Sequence, residues 1–303
     1  MSGKEKWIAV AACFLILILC AGAGLFGKKS SGPAVTAIED MKGRKLGGVE
    51  GRMPRESARI FFESMLGVRL SGYRSYGSMD EALCALRSGE VSAIWTTDIS
   101  ADYLVRAYDG LKKLDKTGMA DISSLPEGRF EFGMAVKNDT EGEKLAGELN
   151  GAIADLTRSD EYVRIVEKYI LNAETAEKMT VDDMTISDPS VRKAFSAKKP
   201  LRVGITGGTP PVELVDSEGR PYGFCVAMMD MIASDLERNI EFVLLDGETI
   251  FTSLMSGRID MVFCYGTPGQ KTTEGSLKWL MTDGYLNCGG YEILVTDPGS
   301  PSR

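Results

Sequence analysis

From about residue 42 onward, short apolar runs alternate with amphipathic stretches, the pattern of helices packed on largely parallel sheets, so the predicted class is α/β. Residues 44–49 read as a strand ending in glycines and 55–66 as a helix closed by Gly67. A strand is expected over 70–76, and Ser78-Met79-Asp80-Glu81 is a capping box opening a helix to Arg87, followed by a buried strand at 91–95. Residues 130–136 read as a strand, then 140–156 and 160–170 as two successive amphipathic helices. Residues 172–197 are polar and keep no sustained period, which marks a linker with at most one short helix near 191–195. A second α/β unit then opens with a strand at 201–205 and a hairpin turning at Asp216-Ser217-Glu218-Gly219. Its helix is expected at about 227–236 and its next strand at 241–245, before a helix at 248–255 that leads into a strand at 259–263.

An internal echo runs through this pattern. ALRSGEVSAIW (85–95) and SLMSGRIDMVF (253–263) share a helix, a Ser-Gly corner and a strand. A helix-to-strand corner favours Ser-Gly in any case, because glycine accepts the left-handed cap.

Ahead of the α/β pattern, residues 7–26 (WIAVAACFLILILCAGAGLF) carry no charge and are flanked by Lys4, Lys6, Lys28 and Lys29. Residues 1–30 therefore read as a signal peptide or a membrane anchor, and the rest as extracytoplasmic. Both fates stay open: Ala21-Gly22-Ala23 suits cleavage, and the apolar run also suffices for one spanning helix.

The charge balance narrows the partners. With 43 acidic and 35 basic residues and a formal charge of -8, the 303-residue chain lacks the concentrated basic face that nucleic acid requires. The sequence contains no histidine, which removes imidazole bases, Ser/His/Asp triads and HExxH zinc chemistry. Of the six cysteines, Cys13 and Cys20 lie in the apolar run; Cys84, Cys225, Cys264 and Cys288 show no CxxC spacing and read as small buried hydrophobes. No metal, cofactor or catalytic residue is predicted.

The stretches LRVGITGGTPPVELVDSEGRPYGF (201–224) and SLMSGRIDMVF resemble the first lobe of the extracytoplasmic solute-binding proteins of amino-acid-type ABC transporters, with the two-lobed type II periplasmic binding fold. IEDMKGRKLGGVEG (38–51), ALRSGEVSAIW and the run 132–170 resemble its second lobe and the helices that return to the first. In that family the first lobe comes first. Here the order is reversed, so the resemblance implies a circular permutation: second lobe and returning helices at 38–170, linker at 171–199 and first lobe at 200–297. Short gaps between surface termini make such rearrangements inexpensive. A fusion of two incomplete binding proteins is the competing reading.

The resemblance implies capture of a small polar solute, an amino acid or related small acid, between the lobes. The expected partners are an ABC permease or a membrane sensor partner. Its positions fall here on Thr209, on Tyr265 and Thr267 in the loop after Phe263, on Lys271 beside Thr272 where the carboxylate-binding arginine is expected, and on Thr97 with Asp98 for an ammonium group. Arg52 or Arg55 stands where a second-lobe helix begins, as a cleft cation or as solvated charge; Phe251 and Tyr285 wall the pocket or pack in the core. Cys225, Cys264 and Cys288 fall on cleft-facing loops of the resembled fold, and a Cys264–Cys288 disulfide is one arrangement open to them. A membrane-tethered sensory or interaction module with a degenerate cleft is the alternative to transport binding.

Overall fold

The computed structural model describes residues 34–50, 58–114, 131–266, 271–272, 279–297 and 299. The expected N-terminal segment, residues 1–30, lies outside these. Among the described residues, no helix is long and apolar enough to cross a membrane.

In chain order the elements are β1 (Lys45–Val49), β2 (Gly72–Tyr76), α1 (Met79–Ser88), β3 (Ala93–Thr97), α2 (Asp98–Ala107), β4 (Leu111–Lys113), β5 (Glu131–Lys137), α3 (Thr140–Leu156) and α4 (Asp160–Val166). They continue as α5 (Pro189–Ala194), β6 (Leu201–Ile205), β7 (Leu214–Val215), β8 (Pro221–Tyr222), α6 (Phe224–Leu236), β9 (Ile240–Leu244), α7 (Ile250–Met255) and β10 (Met261–Tyr265). The last strands are β11 (Lys271–Thr272), β12 (Trp279–Met281), β13 (Leu286–Asn287) and β14 (Tyr291–Thr296).

Two sheets organise the molecule. One runs β2-β1-β3-β14-β4; the other runs β11-β12-β5-β10-β6-β9, with β13 also on β5. Each has three parallel strands, β2-β1-β3 and β9-β6-β10, and continues antiparallel beyond them. The sheets are thus mixed where largely parallel ones are expected. The reason is that β14, which follows the second sheet in sequence, enters the first, while β5, which follows the first, enters the second. Both arrive reversed.

The echoed corners are the same structure twice. Glu90 and Val91 donate their amides to the Ala85 carbonyl at 2.9 and 3.3 Å; Arg258 and Ile259 donate theirs to the Ser253 carbonyl at 2.9 and 3.3 Å. The Ser88 and Ser256 hydroxyls each donate to that same carbonyl at 3.1 Å. Gly89 and Gly257 sit at φ 77° and 72°, where a side chain would be strained. Just before each strand, Ser92 N bonds Lys45 O and Asp260 N bonds Arg202 O, both at 2.9 Å, which seats each corner against the neighbouring parallel strand, β1 or β6.

Helix starts follow the sequence signals. The Ser78 hydroxyl accepts from Glu81 N at 3.2 Å, while the Glu81 carboxylate reaches back to Gly77 N at 3.0 Å, one residue before the cap. Asp139 and Ser159 cap α3 and α4 in the same way. The expected helix 160–170 is α-helical only to Val166 and widens into a π-turn over Glu167–Leu171. The expected helix 55–66 is described from Ala58, and is π-helical over Ile60–Met65.

The largest core joins the middle of the chain to its C-terminal part. Met134, Leu149 and Ile153 pack in one buried cluster with Phe224, Met228, Ile232 and Phe263. Each such side chain contributes roughly 1.5–3 kcal/mol by leaving water. The polar stretch 172–197 holds two 3-10 turns, α5 and a third turn, and is fastened to this core rather than draped over it. Met184 and Ile186 are buried, Thr185 donates from N and Oγ1 to the Asp230 carboxylate at 2.7 and 2.9 Å, and Gly223 N donates to Met179 O at 2.8 Å. It shows no hydrophobic period because its core contacts, Met179, Val181, Met184, Ile186, Val191 and Phe195, fall at irregular spacings along a chain of short turns.

Candidate functional site

The strand ends of the two sheets meet. Glu50 follows β1 of the first sheet, Glu248 follows β9 of the second, and their side chains interact. Burial pushes the Glu50 carboxyl up from its ordinary value, the bond to Glu248 and its charge add to this, and Asp246 adds a smaller push. Asp246 is held in place by accepting from Thr249 N and Oγ1 at 2.8 and 2.7 Å. The nearby acidic side chains thus favour the protonated form of Glu50. The Glu50–Glu248 pair was missed in the sequence; a glutamate directly ending a glycine-rich strand was the available signal.

At the end of β6 the chain folds into a tight loop. Thr206 donates from N and Oγ1 to the fully buried Glu213 carboxylate at 3.3 and 3.0 Å, and Gly208 N donates to the Thr206 hydroxyl at 3.1 Å. Glu213 N closes the loop on Thr209 O at 2.9 Å. Thr209 is 3% exposed, and its hydroxyl has no hydrogen-bond partner among the described residues. A buried hydroxyl left without a partner costs about 1–3 kcal/mol, so such groups tend to mark a place where something else binds.

At the end of β3, Thr97 caps α2: its hydroxyl accepts from Ser100 N at 3.3 Å and donates to Ser100 Oγ at 3.0 Å. Asp98, the first residue of α2, is ion-paired with Lys113 at 3.1 Å, and Lys113 also holds Asp102 at 2.6 Å. Partial burial pulls the Lys113 ammonium down, but the bonds to Asp102 and Asp98 outweigh it and its net shift is upward. Asp98 N also anchors Gly290 O at 2.8 Å, so this corner ties α2 to the chain entering β14. Gly289, at φ 69°, lies so close to Asp98 that an added Cβ would stand 2.7 Å from its carboxylate.

Phe251 and Tyr265 sit edge-on at 4.6 Å between ring centres, and Trp279 closes the trio at 4.3 Å from Phe251. All three are half-buried against the cluster of Ile250, Leu254 and Val262. Tyr285 is 2% exposed and donates to Phe263 O at 3.0 Å, which makes it a core residue. Tyr291 of β14 packs on both large cores, edge-on to Trp95 at 5.5 Å, and its phenol is pushed up by burial, then by the neighbouring Cys288 and Tyr265. Lys271 pairs with Leu280 through the backbone; Arg52, Arg55 and Thr267 lie outside the described residues.

The Cys264–Cys288 disulfide left open by the resemblance is not formed. Cys225 is the second residue of α6, Cys264 is within β10, Cys288 lies on the loop after β13, and all three side chains are fully buried. Burial pushes the Cys225 and Cys288 thiols far up, with Glu213 adding for Cys225 and Cys264 adding for Cys288. Among the described residues, no group of acids and cysteines is placed to hold a metal ion.

Residues 201–289 match the family of bacterial extracellular solute-binding proteins, family 3. That span contains both stretches that carry the first-lobe resemblance. No curated protein matches the chain. Among solved structures, the zinc-bound ligand-binding component of an ABC-type import system from Staphylococcus aureus is 8% identical over 84% of this chain, at TM-score 0.40; the chain spans 66% of its length. An ancestral arginine-binding protein bound to arginine is 14% identical over 86% of this chain and 87% of its own, at TM-score 0.34. The periplasmic domain of B. pertussis BvgS is 9% identical over 84% of this chain and 37% of its own, at TM-score 0.39.

Proposed function

We propose that this chain is an extracytoplasmic solute-binding protein that captures a small polar ligand, an amino acid or related small acid, between two lobes for ABC-type uptake. The observation that carries the reading is the buried, partnerless Thr209 hydroxyl at the carboxyl end of a parallel strand. Ligands of open α/β sheets bind at that end. The Glu50–Glu248 contact supports a cleft there, because it brings the strand ends of the two sheets together. The family match over 201–289 supports an extracellular binding role rather than chemistry.

The lobes in this reading are 38–170, with helices that return to the other lobe, and 200–297, joined by the segment 171–199. Circular permutation accounts for the order. It is supported by β5, α3 and α4 packing into the core of the sheet begun by β6, and by β14 completing the sheet begun by β1.

The test is native mass spectrometry of the purified protein for a copurified solute, followed by thermal shift against amino acids and small acids, where a ligand raises the melting temperature by mass action. A bound solute whose affinity falls on Thr209→Val supports the reading. A protein that carries none and responds to none overturns it in favour of a membrane-tethered sensory or interaction module. One observation favours that second reading: Thr97 and Asp98, the expected ammonium site, are already engaged by Ser100 and Lys113.

A further inference from the structure

Away from the strand ends, a cavity of ≈ 320 Å³ lies between α2, the segment after the π-turn and the β7–β8 hairpin. That size suits a small ligand. Its wall is unusually aromatic: Tyr103 and Tyr108 come from α2 and its C-terminal cap, Tyr169 from the π-turn and Tyr222 from β8. None of the residues at the ends of β3 or β6 lines it, so it is separate from the cleft.

The rings already bind cations. The Lys178 ammonium, itself part of the wall, lies 4.5 Å over the Tyr222 ring; Lys168 lies 4.9 Å over Tyr169 and the Arg87 guanidinium 5.6 Å over Tyr108. The surrounding charge has the matching sign. Tyr108 donates to Asp80 at 3.4 Å, and Glu174 and Glu177 stand in the wall, Glu174 steadied by Arg106 at 3.0 Å. Burial, followed by neighbouring phenols and acids, raises Tyr103 and Tyr108 to about 12, so both stay neutral and keep their ring faces electron-rich.

Electron-rich rings ringed by carboxylates recognise a cation that is weakly hydrated and presents methyl groups to the ring faces. A lysine ammonium is strongly hydrated and sits on a flexible stem, so it is displaced from a ring at little cost. We infer that the cavity walled by Tyr103, Tyr108, Tyr169 and Tyr222 is a second binding site, for a small organic cation with an alkylated ammonium head, which takes the place of Lys178 over Tyr222. Because α2 follows β3 of one sheet and the hairpin precedes α6 beside the other, the occupant touches both halves of the molecule.

The test uses the full chain with tyrosine-labelled NMR, titrating choline and tetramethylammonium against sodium chloride at equal ionic strength. The expected result is saturable movement of the Tyr103 and Tyr222 ring signals with both organic cations and none with sodium. Tyr222→Ala is expected to weaken choline by about tenfold, the loss of one well-used ring face, while Tyr222→Phe keeps it. Lys178→Ala is expected to bind more tightly, because the internal competitor is gone. Ring signals that do not saturate in the unaltered protein overturn the site, with no variant required. So does saturable binding that Tyr222→Ala leaves unchanged, since the cation then sits elsewhere.

Discussion

Glu50 and Glu248 face one another across the boundary between the two sheets, and burial together with the Glu248 side chain favours the protonated form of Glu50. Native Glu50 therefore releases its proton above the ordinary glutamate value of 4.5, about which the unfolded chain is half-ionised. Between these two values the native state binds more protons, so this contact weakens as pH rises through that window and is complete below it. Acids such as Asp139, held low by the Gly142 amide, act in the opposite sense, so the effect is read as a difference. Melting temperatures of the unaltered protein and Glu248→Gln, measured from roughly pH 4 to pH 7, should diverge in favour of the variant as pH rises. A constant difference across that range rules out the upward shift of Glu50.

Lys113 neutralises Asp98 and Asp102 together. All three side chains are more than a third exposed, so solvent screens the pair and the expected loss on Lys113→Met is modest, about 1 kcal/mol in urea unfolding. High salt should shrink the loss further. A loss independent of salt would point to packing by the lysine stem instead.

Thr209→Val is expected to have effects of opposite sign on stability and binding. Replacing a buried hydroxyl that has no partner by a methyl group of the same shape should leave the free protein as stable or up to about 1 kcal/mol more so. Solute affinity should fall. Chemical denaturation checks the first and calorimetry the second; destabilisation of the free protein would show that the hydroxyl has a native partner.

Gly289 turns the chain into β14 at a positive φ, with Asp98 against it. Gly289→Ala should cost roughly 1–2 kcal/mol from the left-handed backbone alone, and more if Asp98 has to move. A melting temperature equal to that of the unaltered protein would mean that the turn relaxes freely.

Of the four body cysteines, Cys84 is half-buried and the other three are fully buried. Native-state alkylation followed by peptide mapping should label Cys84 well ahead of Cys225, Cys264 and Cys288, whose burial also disfavours the thiolate. Early labelling of Cys288 would contradict the packing around β13.

What could be read from the sequence is local. The Ser-Gly corners, the Ser78 capping box and the strand at Leu201–Ile205 are all specified by neighbours within a few positions, and they stand within one or two residues of expectation. The segment 172–197 could not be read in this way, because Thr185 is satisfied by Asp230, 45 residues away. The site suffers from the same limit. Thr209 came into view only through the resemblance, the ion pair of Asp98 with Lys113 joins residues 15 positions apart, and the tyrosine-lined cavity draws Tyr103, Tyr169 and Tyr222 from three distant stretches.

The backbone passes between the two sheets twice, once from β4 to β5 and again from β13 to β14. The second crossing is a step of residues 288–290 that delivers the chain to Tyr291, whose ring packs on a core of each sheet, so the two halves are coupled through a side chain as well as through the backbone.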